Sequence, residues 1–380
     1  MKTPIKRIVF EQLKSKLQGG KVLVLYGPRR TGKTFLLEQL KSYLEKKEKI
    51  LFLNGESRIV QENISSQNPE RLKQYLGNTS LLIVDEAQEI QNIGLNLKII
   101  VDTLPHLKVI ASGSASFDLA QKVGEPLTGR KKTLNLYPVS CQEIINNHSG
   151  HYYQSILESL LIFGCYPELF SLKSQDEQRE YLLELVDSFL FKDILKLEKV
   201  KNPKKLKDLL TLLAFQIGQE VSLAELGNNL DLHKDTVARY LDLLEKSFVL
   251  INIRGFSRNL RKEVIKNSRY YFYDNGIRNA LINNYNPLKL RDDAGRLWEN
   301  YIVVERLKKQ AYTPLFSNNY FWRTYDQQEL DWVEEREGRL FGYEIKWGKK
   351  KAKCPRAWLE NYSNAGYELI NQENFLGFIA

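Results

Sequence analysis

Apolar residues follow two different rhythms along this chain, and the change of rhythm marks its parts. Continuous apolar runs dominate the first third: Val22-Leu23-Val24-Leu25-Tyr26, Ile50-Leu51-Phe52-Leu53, Leu81-Leu82-Ile83-Val84 and Leu107-Lys108-Val109-Ile110-Ala111. Such short runs without polar alternation predict strands buried on both faces, as in a parallel sheet. Between them, apolar positions recur three and four apart, which predicts helices near 35–40, 69–76 and 90–104. A last strand is expected over 131–137, KKTLNLY. Residues 1–137 therefore read as an α/β core of alternating strands and helices. Residues 138–200 change to helical spacing, clearest over 156–163 and 179–197, with a Gly/Pro turn at Phe163-Gly164-Cys165-Tyr166-Pro167 between them.

The rhythm changes again after residue 200. An amphipathic helix is expected over 203–215, a second after its cap Ser222, and a third over 236–245, followed by the strand Leu250-Ile251-Asn252-Ile253-Arg254. Three helices and a wing over 201–285 predict a winged helix-turn-helix with a basic connector. Residues 286–380 combine an amphipathic helix over 296–309 with an alternating strand from Phe341 to Trp347, which sets Glu344 and Lys346 on one side.

The turn after the first strand carries the clearest chemistry. Gly27-Pro28-Arg29-Arg30-Thr31-Gly32-Lys33-Thr34 fits G-x-x-x-x-G-K-[ST] at every fixed position, and it lies between a strand and a helix as that motif requires. A loop of this kind turns backbone N–H groups, here those around Gly27, Arg30, Thr31 and Gly32, toward phosphates. Lys33 would reach the β- and γ-phosphates, and the Thr34 hydroxyl would ligate Mg²⁺. The run ending in Asp85-Glu86 supplies the other half: Asp85 to hold the metal, Glu86 to orient or deprotonate the attacking water. Ser112, at the end of the following strand, is placed to sense the γ-phosphate, although an ordinary strand-to-helix turn explains it as well. Arg130 is a candidate γ-phosphate contact, in cis or on a neighbouring copy; a basic surface turn is the alternative. A strand inserted between the loop strand and the acidic strand marks the NTPases that carry a catalytic Glu.

Composition narrows the partners. The net charge of +10 is uneven: 22 basic against 13 acidic residues over 1–135, 5 against 10 over 136–200, 15 against 9 over 201–290, and 14 against 14 over 291–380. A surplus in the first and third segments points to a polyanion, DNA being the obvious one. Lys234, Thr236 and Arg239 would lie near the exposed face of the third helix, with Arg254, Arg258, Arg261 and Lys262 along the wing. Winged helices also serve as plain protein-interaction modules, so that reading stays open. Cys141, Cys165 and Cys354 lie far apart and form no C-x-x-C, which argues for a reducing cytoplasm. No apolar run reaches the roughly twenty residues of a membrane span, and assembly with further copies of the chain stays open.

A second constellation sits near the C-terminus. Glu299 lies on the helix over 296–309, Asp331 ends Glu329-Leu330-Asp331, and Glu344-Ile345-Lys346 follows on the next strand. An Asp on one strand and E-x-K on the next is the pattern of metal-dependent phosphodiester hydrolases: Glu299, Asp331 and Glu344 would hold Mg²⁺, and Lys346 would position the attacking water. A salt-bridged hairpin is the alternative. Together with LLIVDEAQEI, ASGSAS, LTGR, LYPVS, FGCYPELF, LEKSFVL, YFYDNGIRNAL and LWEN…FWR…ELDWV…YEIKW, these motifs resemble the bacterial and archaeal AAA-type ATPases that carry a C-terminal domain of the PD-(D/E)XK nuclease superfamily. The resemblance implies an ATP-binding core, a helical lid over 138–200, a winged helix over 201–285 and a nuclease-like α/β domain over 286–380. It implies either an ATP-driven nuclease or an ATP-dependent switch whose tail contacts DNA or assembles without cutting. The chain also resembles signalling NTPases that use a winged helix as an autoinhibitory clamp.

Overall fold

The apolar runs of the first third pair as a parallel sheet in the computed structural model, which describes residues 4–114, 127–197, 202–257, 268–348, 352–362 and 364–380, with backbone alone over 189–197. Its strands are β1 (Val22–Tyr26), β2 (Ile50–Asn54), β3 (Leu81–Asp85), β4 (Lys108–Gly113) and β5 (Lys131–Asn135). They lie in the order β2-β3-β4-β1-β5, all parallel. Every residue of β1 and β3 is buried, as their unbroken apolar pattern requires. Strand β4 stands between the loop strand and the acidic strand, which is the expected insertion. The register pairs Tyr26 with Gly113 and Asn54 with Asp85, so the turns after β1, β3 and β4 share one edge. In open parallel sheets, ligands bind outside that carboxyl edge.

Around the sheet lie α1 (Ile8–Lys16), α2 (Lys33–Leu44), α3 (Arg58–Ile64), α4 (Pro69–Leu76) and α5 (Ile93–Thr103). Helix α4 starts where the sequence signals it: Pro69 takes the first position and Asn68 Oδ1 accepts from Glu70 N and Arg71 N. Strand β5 ends at Asn135, short of the expected 137. Leu136 N donates to Tyr26 O at 2.6 Å, and Pro138 then has no N–H to extend the ladder.

Contacts divide the chain into two compact units, Met1–Val139 with Lys246–Phe248, and Ser140–Glu245 with Val249–Ala380. The second holds helices α6 (Cys141–Asn147), α7 (Gly150–Phe163), α8 (Gln175–Leu197), α9 (Pro203–Phe215), α10 (Leu223–Leu230), α11 (Lys234–Lys246), α12 (Asn275–Leu281), α13 (Ala294–Tyr312), α14 (Arg356–Asn361) and α15 (Phe375–Ile379). Its strands are β6 (Glu220–Val221), β7 (Leu250–Gly255), β8 (Ser268–Phe272), β9 (Asn318–Arg323), β10 (Glu329–Arg336), β11 (Arg339–Ile345) and β12 (Gly366–Ile370). All seven form one sheet, β12-β11-β10-β9-β7-β8-β6. The antiparallel pair β7/β8 joins the rest where Arg254 and Gly255 pair in parallel with Tyr320 and Phe321. The sheet thus runs without a break across the boundary expected at 285. Phe256, Trp322, Leu330, Val333 and Trp358 form a core on it, with the Trp322 and Trp358 rings edge-to-face at 5.3 Å.

Two sequence motifs without chemistry find their use in this unit. The Phe163-Gly164-Cys165 turn packs on Asp274-Asn275-Gly276. Cys165 N donates to Asp274 Oδ2 at 2.7 Å, and Asn275 Nδ2 donates to Leu161 O and Leu297 O. Gly164 has φ +82, and a Cβ there would meet Asp274 Oδ1 at 1.8 Å, so only glycine fits. Asn300 exchanges hydrogen bonds with the Phe272 backbone and reaches Asn275 Oδ1 at 2.7 Å. These buried polar groups are satisfied, as a low-dielectric interior demands.

Candidate active site

The phosphate loop is built by one positive φ at Arg30 (60°) and another at Gly32 (90°), which lets α2 begin directly at Lys33. At Gly27 the chain passes close to the residue that follows β5: a Cβ there would lie 2.2 Å from Leu136 O. The buried Thr31 hydroxyl donates to Pro28 O at 2.8 Å and closes the loop on itself. Lys33, 5% exposed, donates to Gly27 O and Pro28 O, each at 2.9 Å. Those carbonyls hold its ammonium inside the loop, where an incoming phosphate would meet it.

The acidic strand brings its carboxylates beside the loop. Thr34 Oγ1 donates to Asp85 Oδ2 at 2.6 Å. Ser112 Oγ donates to Asp85 Oδ1, and Glu86 N donates back to Ser112 Oγ at 3.2 Å. Ser112 is fully buried, and its hydroxyl donates to Asp85 and so positions the carboxylate. Glu86 sits in the left-handed region (φ 49°), a conformation that costs a side-chain-bearing residue about 1 kcal/mol. Gly55 braces that turn, since a Cβ on it would lie 2.3 Å from Glu86 O and its N–H donates to Asp85 O at 2.8 Å. Gln88 Nε2 donates to the Glu86 carboxylate and aims it.

Arg130 departs from expectation. It precedes β5, and its carbonyl accepts from Val22 N, at the end of β1 opposite the phosphate loop. Five strand residues at about 3.3 Å each separate the two ends. It pairs there with Asp102. Contact with its own chain's nucleotide is therefore corrected by the register; action on a second copy is the part of the expectation that this edge leaves open.

In the second unit, Glu299, Asp331, Glu344 and Lys346 do come together, but around an arginine. Arg269 of β8 is 5% exposed at its side chain; its Nη1 lies 3.4 Å from Asp331 Oδ1 and 4.0 Å from Glu299 Oε1, and its Nη2 donates to Glu329 Oε2 at 2.7 Å. Asp331 Oδ2 accepts from Ile345 N at 2.8 Å, the ladder there being irregular between Leu330 and Val333. Tyr271 OH donates to Glu299 Oε1 at 2.8 Å, and Lys346 pairs with Glu344. Burial raises all three acids: Glu299 to about 8, helped by Asp331; Glu344 to about 7, helped by the same neighbour; and Asp331 upward against the pull of Lys346 and Arg269. Glu299 and Lys346 also line a cavity of about 440 Å³ with Arg296 and Trp347. Among the described residues no three His, Cys, Asp or Glu side chains are grouped to hold a metal ion. Cations of the chain, Arg269 and Lys346, thus stand among Glu299, Asp331 and Glu344, the three acids expected to hold metal.

On α11 Lys234 and Arg239 are exposed and Thr236 is half-buried, while Arg254 on β7 is exposed. Arg258, Arg261 and Lys262 lie outside the described residues. No described helix is long and apolar enough to cross a membrane.

Residues 19–145 match the family model described as AAA domain. The first unit is an AAA-type P-loop domain. Residues 154–288 and 294–374 match two domains of unknown function, DUF8612 and DUF4143. An uncharacterized protein of Mycobacterium tuberculosis is 27% identical over 346 residues, 88% of this chain and 72% of that protein. Another of Methanocaldococcus jannaschii is 24% identical over 348 residues, 86% and 75% of the two lengths. A solved DNA replication initiation factor aligns over 62% of this chain and 86% of its own, at 15% identity and a TM-score of 0.28.

Sequence reasoning passed over two residues of the AAA-type domain. Arg7 Nη1 donates to Thr31 O at 2.8 Å and Nη2 to Tyr137 O, tying the phosphate loop to the chain after β5. Gln88 aims Glu86. A basic residue beside a helix start and a Gln two places after Glu86 carry no signal by themselves. Arg269 had one: a lone cation in the apolar strand Ser268-Arg269-Tyr270-Tyr271-Phe272 needs a buried partner.

Proposed function

We propose that this chain binds and hydrolyses ATP at the AAA-type site, and that turnover there governs a DNA-associated second unit. The observation that carries the reading is the meeting of Thr34, Asp85 and Glu86 at one sheet edge beside a loop whose Lys33 is already turned inward. Thr34 and Asp85 fit Mg²⁺: a hydroxyl and a carboxylate oxygen converge, and both are hard oxygen donors. Mg²⁺ bound there would neutralise charge on the phosphate oxygens. Lys33 adds a positive charge from the loop. Glu86, held by Gln88 and its braced turn, takes the proton of the attacking water or orients it. Ser112 keeps Asp85 and the Glu86 backbone in register. Phosphate release by purified protein with Mg²⁺ and ATP tests the reading. Wild type should turn over and Lys33→Ala should not; equal rates would sink it.

The second unit reads as a winged helix-turn-helix joined to a nuclease-like sheet. Exposed Lys234, Arg239 and Arg254 support contact with DNA phosphates. Of the two expected outcomes, the switch without cleavage is favoured over the nuclease, because Arg269 lies among the carboxylates that would hold metal. Plasmid and single-stranded DNA incubated with Mg²⁺ or Mn²⁺, with and without ATP, should stay intact; cutting that Asp331→Ala abolishes would restore the nuclease reading.

A further inference from the structure

We infer that Arg269 supplies, from within the chain, the positive charge that the Glu299–Asp331–Glu344 arrangement would otherwise take from a divalent metal ion, so that this cluster binds neither Mg²⁺ nor Mn²⁺. The guanidinium is firmly placed. Arg269 lies in the middle of the β6–β8–β7 ladder, paired with Glu220 on one side and Ile253 on the other. Its guanidinium stacks 4.6 Å from the Phe321 ring centre and is forked between Glu329 and Asp331. A side chain bound by its own strand, an aromatic face and two acids has little freedom to withdraw.

The acids are committed as well. Asp331 gives one oxygen to Arg269 and the other to Ile345 N, with Lys346 Nζ 3.8 Å away. Glu299 takes the Tyr271 hydroxyl, and Glu344 takes Lys346. Glu344 Oε2 is buried without a hydrogen-bond partner. Mg²⁺ takes one or two carboxylates and fills the rest of its shell with water, but here both Asp331 oxygens and one oxygen each of Glu299 and Glu344 already face donors of the chain. A divalent ion entering here would also face a guanidinium and an ammonium, with burial removing the solvent that screens like charges.

The inference separates cleanly from the ATPase reading, because the carboxylates lie in the other unit. The test is a Mn²⁺ titration of the full chain without nucleotide, followed by electron paramagnetic resonance of free Mn²⁺, for wild type, Asp331→Asn and Arg269→Gln. Wild type and Asp331→Asn should bind Mn²⁺ alike, since the cluster contributes nothing. Arg269→Gln, which removes the internal cation and keeps a polar side chain, should gain one Mn²⁺ equivalent that the added Asp331→Asn change abolishes. An equivalent bound by wild type and lost in Asp331→Asn would overturn the inference. So would a folded Arg269→Gln protein that gains none. If Arg269→Gln does not fold, the wild-type and Asp331→Asn pair still decides, because neither arm needs that variant.

Discussion

Thr34 Oγ1 and Asp85 Oδ2 lie 2.6 Å apart although 51 positions separate them in the chain. Strand β4 makes this possible by spacing β1 and β3, and its Ser112 holds the far oxygen of Asp85. The hydroxyl and the carboxylate therefore act as one group. Thr34→Ala and Asp85→Asn should each lower ATP turnover about 10–100-fold, the range for residues that fix a metal and its surroundings. The double variant should be little worse than either single one, because partners in one unit do not add. Phosphate release against Mg²⁺ concentration measures this, and multiplied losses would show that the two act independently.

Close backbone approach makes Gly27 and Gly55 intolerant of any side chain. Added Cβ atoms would lie 2.2 Å from Leu136 O and 2.3 Å from Glu86 O. Gly27→Ala and Gly55→Ala should each cost about 1–3 kcal/mol by chemical denaturation, the scale for overpacking. Gly150→Ala, with nothing within 4 Å, is the control and should change stability little.

A buried ion pair within α13 is joined to α6 by a backbone hydrogen bond. Lys308 Nζ donates to Glu305 Oε1 at 2.7 Å, Cys141 N donates to Glu305 Oε2 at 2.7 Å, and both charged side chains are at most 2% exposed. Lys308→Met strands the Glu305 charge and should cost about 3–5 kcal/mol. Glu305→Gln combined with Lys308→Met should recover part of that loss, measured by urea unfolding. A double variant as unstable as Lys308→Met would mean that packing, not charge, sets the cost.

Asp293 gives the unit a pH dependence of known sign. Burial works to raise its pKa, but hydrogen bonds from Arg291 and Arg278 outweigh it and hold the carboxyl at about 2, below its usual 3.8. The folded state thus keeps this proton off to lower pH than the unfolded state does. Its contribution, about 2 kcal/mol, is present above about pH 4 and fades as pH falls through 2. The stability gap between wild type and Asp293→Asn should shrink over that window; a constant gap would contradict the assignment.

Much of the AAA-type domain is legible because its signals are local. The apolar runs, the glycines of the phosphate loop and the acids ending β3 each carry their meaning within a few residues. Helix α3 (Arg58–Ile64) escaped notice because seven residues hold too little periodicity to show. The place of Arg130 was hidden for another reason: which end of a strand a residue occupies is set by register. In the second unit, the spacing of Asp331, Glu344 and Lys346 correctly grouped them. It could not reveal Arg269, which arrives from a strand paired far away in sequence.

The account rests on Glu86 as the group that acts on water, and one measurement addresses it directly: ATP binding and single-turnover hydrolysis of Glu86→Gln beside wild type. The substitution keeps the size of the side chain and its reach to Gln88 while removing the base. Binding should stay within a few-fold of wild type, and the hydrolysis step should slow by at least ~10²-fold. A Glu86→Gln protein that binds ATP and hydrolyses it at the wild-type rate would contradict the account.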